Sequence, residues 1–218
     1  MTKPITIMTI SQKGGVGKST IADELAYSLD RTGTPYVFHD IDGQGGSLHE
    51  GHRDEGAQVS IVDTPAGLDD RTLGLLGGVD LAVVAVNASG RDMVPLMRTL
   101  DVLHEAGGIP FLLVVTRCNR FTVCTQFVDW IQRTVGADRV CTLPAAEAFP
   151  QAYMAKKSVV EYQRGGKAAE AVKGMCERVR SLVGLPPEEA KELRPQGPSA
   201  APERVFKELA DNSPRRDA

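Results

Sequence analysis

The sequence is organised around Gln12-Lys13-Gly14-Gly15-Val16-Gly17-Lys18-Ser19-Thr20. The apolar run from Ile5 to Ile10 before it predicts a buried strand, and the segment from Ile21 to Leu29 after it predicts a helix. A glycine-rich turn between a strand and a helix directs backbone N–H groups inward and leaves the helix N-terminus open, so it forms a cradle for phosphate. Glycine is needed because a side chain would block close approach and because such turns visit positive φ.

The details of this loop depart from the general phosphate-binding pattern. The pattern G-x-x-x-x-G-K-[ST] has a glycine where this chain has Gln12, and Lys13 stands directly after it. We expect Lys18 to reach the β- and γ-phosphates and the Ser19 hydroxyl to bind Mg²⁺. A flexible Gly/Lys loop without a ligand is the alternative, and the flanking strand and helix argue against it.

Composition narrows the class of protein. The 218 residues suffice for one sizeable α/β domain with a tail, and a net charge of −3 offers no general attraction to nucleic acid, so such contact would need a local patch. The first residues do not form a signal peptide, no apolar run is long enough to cross a bilayer, and the cysteines form no C-x-x-C pair. We therefore expect a cytoplasmic protein without a zinc site.

Apolar runs alternate with longer amphipathic segments along most of the chain. The predicted strands are Ile5–Ile10, Tyr36–His39, Gln58–Val62, Leu81–Val86, Phe111–Thr116 and Arg139–Leu143. The predicted helices are Lys18–Arg31, Arg91–Ala106, Thr122–Val135, Ala146–Ala155 and Lys167–Val183. Strands that are apolar on both faces and separated by helices indicate an α/β fold with a mostly parallel sheet and helices on both faces. Ligands bind beyond the carboxyl ends of such strands.

Carboxylates follow the second and third predicted strands, at the edge where the phosphate loop lies. Asp40 and Asp42 end the second strand, and in a phosphate site they could hold a metal-bound water or position the attacking water. Asp63 ends the third strand, as the Walker B aspartate does, and would bind Mg²⁺ through water and hold Ser19 in place. An acidic turn in solvent is the alternative for Asp40 and Asp42.

These motifs together resemble the deviant Walker A ATPases of the ParA/MinD superfamily, in which a lysine at the position of Lys13 is a signature. The segment Asp40-Ile41-Asp42-Gly43-Gln44 is similar to their D-x-D-P-Q, with Gly43 in place of proline. Asp63-Thr64-Pro65-Ala66-Gly67 is similar to their D-T-P-x-G. The resemblance runs from about Ile5 to about Val183 and is greatest to small ParA-type partition ATPases without a helix-turn-helix domain.

The resemblance implies a P-loop NTPase that uses ATP and Mg²⁺ and hydrolyses ATP slowly until a partner stimulates it. It implies that Lys13 reaches across a homodimer to the partner's nucleotide, that Asp42 orients the attacking water, and that Asp40 lies near the Mg²⁺. The expected catalytic residues are Lys13, Lys18 and Asp42. The expected metal site comprises Ser19, Asp40 and Asp63. The expected nucleotide-binding residues are Lys13, Gly14, Gly15, Val16, Gly17, Lys18, Ser19, Thr20, Asn119 and Pro144.

Two of these residues are expected to flank the base. Asn119 follows the fifth predicted strand, and its amide offers both a donor and an acceptor. Alternatively, Asn119 acts as an N-cap-like residue before the helix that begins at Thr122. Pro144 resembles the proline of the loop that packs beside adenine in ParA-type domains.

The connection between Asp42 and Asp63 is short. ParA-type proteins usually carry further helices and a strand there, in a region that contributes to their dimer and partner surfaces. This chain has only a polar segment from Ser47 to Gly56 with glycine turns. We expect His49 and His52 to be solvent-exposed loop residues rather than metal ligands.

Basic residues concentrate near the end of the predicted domain, namely Lys156, Lys157, Arg164, Lys167, Lys173, Arg178 and Arg180. From their spacing they could form a solvated helix face in which Lys173 pairs with Glu170 or Glu177. Spacing alone favours this interpretation over a surface for the phosphate backbone of DNA, which would bind without reading bases and weaken in salt. The resemblance to ParA, whose ATP-bound dimers coat DNA, makes the second interpretation as strong as the first.

Composition changes after residue 184. We expect residues 1–184 to form the ATPase domain and residues 185–218 to form a flexible, proline-rich, charged tail. A membrane anchor would need a basic amphipathic helix at the end, and Glu203–Ala210 makes a poor one, so we expect no membrane binding.

The leading hypothesis is an ATP-dependent dimerising switch for DNA or plasmid partition. Its expected partners are a second copy of the chain, non-specific DNA and a centromere-binding or cargo adaptor protein, and it would associate with the nucleoid if DNA binding holds. One alternative is an accessory ATPase of conjugation or of another cargo-positioning system. Another is an ATP-dependent synthetase of the same fold that resembles dethiobiotin synthetase, for which Lys13 is not needed.

Overall fold

One sheet of six parallel strands dominates the computed structural model, which describes residues 3–43 and 45–188. The strands are β1 Ile5–Ile10, β2 Tyr36–Asp40, β3 Val59–Asp63, β4 Leu81–Asn87, β5 Phe111–Cys118 and β6 Val140–Pro144. The helices are α1 Lys18–Thr32, α2 Asp70–Leu75, α3 Gly90–Glu105, α4 Thr122–Val135, α5 Ala148–Met154, α6 Val159–Tyr162 and α7 Lys167–Leu182. Short 3-10 turns follow α2 and precede β6, at Leu76–Gly78 and Ala137–Arg139.

The strand order is β2-β3-β1-β4-β5-β6, so the chain reverses its direction of travel across the sheet beside β1. The crevice outside the carboxyl ends of the strands at such a reversal is where α/β proteins bind ligands. The phosphate loop follows β1 and therefore opens into this crevice. Asp63 at the end of β3 and Asp40 at the end of β2 are register partners, which brings both carboxylates to the same edge.

Two apolar cores lie on opposite faces of the sheet. On one face Ile7 of β1 packs with Ile21 and Leu25 of α1 and with residues of α5, α6 and α7. On the other face Met8 and Ile10 of β1 pack with residues of α3 and α4. Adjacent strand residues point to opposite faces, so a strand that is buried on both sides must be apolar throughout. The prediction of an α/β fold with helices on both faces is confirmed.

The predicted strands and helices begin and end within two residues of the observed bounds. Helices α2 and α6 were not predicted, because neither is long enough to display an amphipathic period. Each is marked instead by a capping side chain. Asp69 accepts a hydrogen bond from the Thr72 amide at 2.8 Å, and Ser158 accepts one from the Val160 amide at 3.1 Å.

The short β2–β3 connection covers the outer edge of β2. Val37 and Arg53 form an antiparallel bridge, the Phe38 amide donates to the His52 carbonyl at 2.9 Å, and the Asp54 amide donates to the Tyr36 carbonyl at 2.9 Å. An edge strand whose backbone groups are already paired does not recruit another strand. The predicted exposure of the two loop histidines is wrong for His49, whose side chain is 10% exposed, and the His52 ring stacks on Tyr36 at 4.1 Å.

The described chain continues past α7 and packs back on α1. The Glu188 carboxylate accepts hydrogen bonds from the Arg31 guanidinium and the Ser28 hydroxyl, and the Glu188 amide donates to Glu177 at 2.8 Å. The remainder of the predicted tail, residues 189–218, lies outside the described residues, and the domain boundary at residue 184 stays a prediction. No helix within residues 3–43 and 45–188 is long and apolar enough to cross a bilayer.

Candidate functional site

The loop between β1 and α1 has the backbone that a phosphate cradle requires. Gly15 and Gly17 adopt φ of 70° and 93°, a left-handed region in which residues with side chains are strained. Gly17 is the N-cap of α1 and offers no side-chain acceptor, so the first N–H groups of the helix have no internal cap. The positive end of the helix macrodipole adds to their attraction for an anion.

Lys18 lies in this cradle and is only 6% exposed. Burial lowers the pKa of its ammonium group, while the nearby carboxylates of Asp63 and Asp42 raise it. The structure therefore brings together three of the predicted site residues. An ammonium group that interacts electrostatically with two carboxylates beside a phosphate loop can exchange part of this interaction for a phosphate oxygen.

Asp63 is fully buried at the carboxyl end of β3. Its Oδ1 accepts a hydrogen bond from the Thr9 hydroxyl at 2.8 Å and its Oδ2 accepts one from the Ser47 hydroxyl at 2.8 Å. The Ser19 hydroxyl also donates to this carboxylate. Burial raises the pKa of Asp63 and the three hydroxyl donors lower it, with Asp40 opposing them through its charge.

This donor set fits Mg²⁺. No cluster of three His, Cys, Asp or Glu side chains suited to a metal occurs among the residues that the structure describes. Mg²⁺ in nucleotide sites is held by one or two protein oxygens, by water and by the phosphates themselves. Ser19 and Asp63 supply such oxygens, and Asp40 adds negative charge beside them. Asp42 is tied to this group because its amide donates to Asp40 Oδ1 at 2.9 Å.

Lys13 lies at the rim of the loop and forms an ion pair with Asp92 in the first turn of α3. The side chain of Lys13 is 38% exposed, whereas that of Asp92 is 6% exposed. Sequence reasoning did not identify Asp92. The sequence did contain a signal for it, because Asp92 is an acidic residue shortly after the carboxyl end of β4, at the same edge of the sheet as the phosphate loop. The action of Lys13 across a dimer stays a prediction.

A cavity of about 660 Å³ opens beside the phosphate loop, between α1 and α5. Its wall includes Gly17 of the loop and Thr20 of α1, together with Arg117 and Pro144 at the ends of β5 and β6. Cavities that hold small ligands have volumes of roughly 300–1,000 Å³, so a nucleoside fits. Asn119 does not line this cavity, and its Oδ1 accepts the Phe121 amide at 3.0 Å just before α4, which matches its alternative role at a helix start.

Thr116 lines the cavity and also contacts the phosphate loop, and the sequence analysis did not identify it as a site residue. Its Oγ1 lies 2.8 Å from the Val16 carbonyl and 2.9 Å from Asn87 Oδ1. The next residue, Arg117, adopts φ of 53°, which is uncommon for a residue with a side chain. Such strained positions cluster at ligand sites, because the surrounding structure must hold them.

The predicted basic patch requires one correction. Arg180 is 3% exposed, and its guanidinium donates to the Pro186 carbonyl at 2.7 Å and to the Thr32 hydroxyl at 3.3 Å. It anchors the chain after α7 and is not part of a surface for DNA. Lys173 pairs with Glu170 at 3.1 Å, and Arg178 donates to the Asp138 carbonyl at 2.9 Å. DNA binding by the other members of the patch stays a prediction.

A glycine-rich loop at a helix N-terminus, a buried lysine and a buried Walker B aspartate define a P-loop nucleotide-binding protein. The chain belongs to the CobQ/CobB/MinD/ParA nucleotide-binding domain family, whose model matches residues 7–186. The predicted membership of the ParA/MinD superfamily is thereby confirmed. None of the curated proteins matches the chain.

Solved structures of the same fold come from several organisms. A plasmid partition protein from Borrelia burgdorferi bound to AMPPNP is 14% identical with a TM-score of 0.65, covering 82% of this chain and 99% of its own. The ATP complex of a McdA variant from Cyanothece is 13% identical with a TM-score of 0.68, covering 85% and 98%. The septum site-determining protein MinD from Pyrococcus horikoshii with Mg-ADP is 18% identical with a TM-score of 0.67, covering 84% and 98%. At these identities the likeness shows the fold.

Proposed function

We propose that this chain is an ATP-dependent dimerising switch of the ParA type, which hydrolyses ATP to ADP and phosphate and acts in DNA or plasmid partition. The observation that carries the proposal is the separation of the two loop lysines. Lys18 is buried beside Asp63 and Asp42, where it can serve the chain's own nucleotide. Lys13 lies at the rim, partly exposed, where its ammonium group can meet a phosphate that approaches from outside the chain.

The geometry supports a mechanism based on positioning and charge. The open N–H groups of α1 and the Lys18 ammonium hold the β- and γ-phosphates, and Asp42 holds the attacking water in line with the terminal phosphorus. Asp63 orients the Ser19 hydroxyl. Mg²⁺ supplies charge neutralisation on the phosphates when it is bound with the nucleotide. Lys13 of a second copy completes the charge stabilisation, as an arginine finger does in other NTPases, so ATP binding and dimerisation become one event.

DNA binding would use the residues of the predicted basic patch other than Arg180, which is buried. They belong to the segment from Lys156 to Arg178, and contacts of this kind neutralise phosphates without reading sequence. Salt weakens such binding, because released counterions drive it. A centromere-binding or cargo adaptor protein is the expected stimulating partner.

Size-exclusion chromatography tests the proposal, with Asp42→Ala used to block turnover and Lys13→Ala as the matched variant. With ATP and Mg²⁺, the Asp42→Ala protein is expected to elute as a dimer that retards arbitrary duplex DNA in low salt. The Lys13→Ala protein is expected to bind nucleotide as a monomer and to lose ATPase activity. An Asp42→Ala protein that binds ATP yet stays monomeric overturns the switch.

One observation favours the synthetase as a second candidate. The cavity wall includes Phe149 and Tyr153 of α5 and Lys157 after it, an aromatic and cationic lining that suits a small acidic substrate. In that case the Lys13→Ala protein keeps its activity. A protein that dimerises with ATP but does not bind DNA would instead support an accessory ATPase of conjugation or of another cargo-positioning system.

A further inference from the structure

The short β2–β3 connection is attached at two places that matter for the site. Ser47 donates its hydroxyl proton to Oδ2 of Asp63 at 2.8 Å. Immediately after it, the Leu48 amide donates to Asp23 Oδ1 at 2.8 Å and the His49 amide donates to the same atom at 3.3 Å. The connection therefore joins the Walker B carboxylate to the second turn of α1.

The second attachment holds Ser47 in place. His49 Nδ1 lies 2.8 Å from Asp23 Oδ1, and its ring meets the Tyr27 ring edge-on at 4.4 Å between centroids. Ser47 stands only two positions before His49, so its backbone cannot move far while His49 stays packed on α1. The position of the Ser47 hydroxyl is thus set by the packing of His49 on α1.

Asp63 needs the donor that Ser47 supplies. A buried carboxylate keeps its charge and its orientation only when hydrogen bonds satisfy both oxygens. The Thr9 hydroxyl of β1 donates to Oδ1 at 2.8 Å, and the Ser47 hydroxyl donates to the other oxygen, Oδ2, at 2.8 Å. If Ser47 is removed, Oδ2 loses this partner, and only the Thr9 and Ser19 hydroxyls are left to hold the orientation of the carboxylate.

We propose that Ser47 is a positioning residue for the Mg²⁺ site, which acts by fixing the carboxylate of Asp63. The inference rests on the proposed nucleotide-binding function and adds a residue to it. Loss of an outer partner of a metal-holding carboxylate lowers metal affinity by about tenfold to a hundredfold. The short β2–β3 connection, through Ser47, therefore helps to hold the metal site in place.

The test compares Ser47→Ala with Ser47→Thr, which keeps the hydroxyl, and with Ser181→Ala on the exposed side of α7 as the matched control. Each protein is saturated with a fluorescent ATP analogue and titrated with Mg²⁺, and nucleotide affinity is also measured in EDTA. Ser47→Ala is expected to weaken Mg²⁺ binding by about tenfold while nucleotide affinity in EDTA stays within about twofold. Ser47→Thr is expected to restore Mg²⁺ binding.

His49→Gln provides a second variant in case Ser47→Ala does not fold. It loosens the segment that carries Ser47, so Mg²⁺ binding should weaken in the same direction. Equal Mg²⁺ affinity of Ser47→Ala and wild type, or an equal loss of nucleotide affinity in EDTA, overturns the inference alone. A wild-type protein that binds no nucleotide overturns the proposed function and the inference with it.

Discussion

Replacement of His49 by glutamine should make the stability of this protein less dependent on pH. The imidazole lies 2.8 Å from Asp23 and 3.5 Å from Asp30 through its two nitrogens, and these carboxylates raise the pKa of His49 from 6.5 to about 9. Burial opposes this rise and is overcome by the two acids. Glutamine keeps hydrogen-bonding groups and gives up the charge.

The magnitude follows from the pKa. A rise from 6.5 to about 9, at about 1.4 kcal/mol for each pH unit, corresponds to about 3 kcal/mol of stabilisation of the folded state. Because the folded pKa is raised, this contribution is complete below pH 6.5 and is lost as the pH rises through 9. Asp30 is 44% exposed, and solvent screening reduces the effect toward about 2 kcal/mol.

The two tyrosines that face His49 do not titrate in this pH window. Burial and nearby carboxylates raise the pKa of Tyr27 and Tyr36 well above the ordinary tyrosine range, so neither ring ionises in the folded protein below pH 9.5. Tyr36, Phe38 and His52 complete the cluster around the connection. The difference between wild type and His49→Gln therefore reports the His49 charge.

Urea unfolding of both proteins between pH 6 and pH 9.5 measures this difference. Wild type should exceed His49→Gln by about 2–3 kcal/mol at pH 6, and the excess should fall to near zero at pH 9.5. A constant difference across this range would show that His49 stabilises the fold through packing alone. A difference that grows with pH would refute the ion-pair reasoning.

Three further substitutions test other contacts of the site. Asp92→Asn removes the intrachain partner of Lys13 and should raise the ATP-dependent dimer fraction several-fold in chromatography; an unchanged fraction contradicts this. Gly17→Ala forces a side chain into φ of 93°, with its Cβ 3.5 Å from Thr116, and should cost about 1–3 kcal/mol and weaken nucleotide binding measured by calorimetry. Arg180→Ala should lower the free energy of unfolding by about 1–3 kcal/mol and leave DNA retardation unchanged. A loss of retardation without a loss of stability would show that Arg180 does belong to the DNA-binding patch.

Much of the fold could be predicted because its signals are local. Helix α4 was predicted with both of its ends, since its apolar period and its flanking residues all lie within the segment itself. The sheet followed from runs that are apolar on both faces. Short helices such as α2 escaped notice because six residues are too few to show a period.

The phosphate loop, Asp42 and Asp63 were likewise recognisable from neighbours in sequence, since each stands at the end of an apolar strand. The sequence by itself thus determined the class of fold and the position of the phosphate loop and these carboxylates at one edge of the sheet. The tertiary structure alone decided which residues support that edge: Ser47 on Asp63, His49 on Asp23, Asp92 on Lys13, and Thr116 on the loop. These partners are between about 16 and 100 positions apart in the chain, and Arg180 became buried only through contacts of the same kind. Side-chain contacts across such separations depend on how whole elements pack, and no periodic pattern records them.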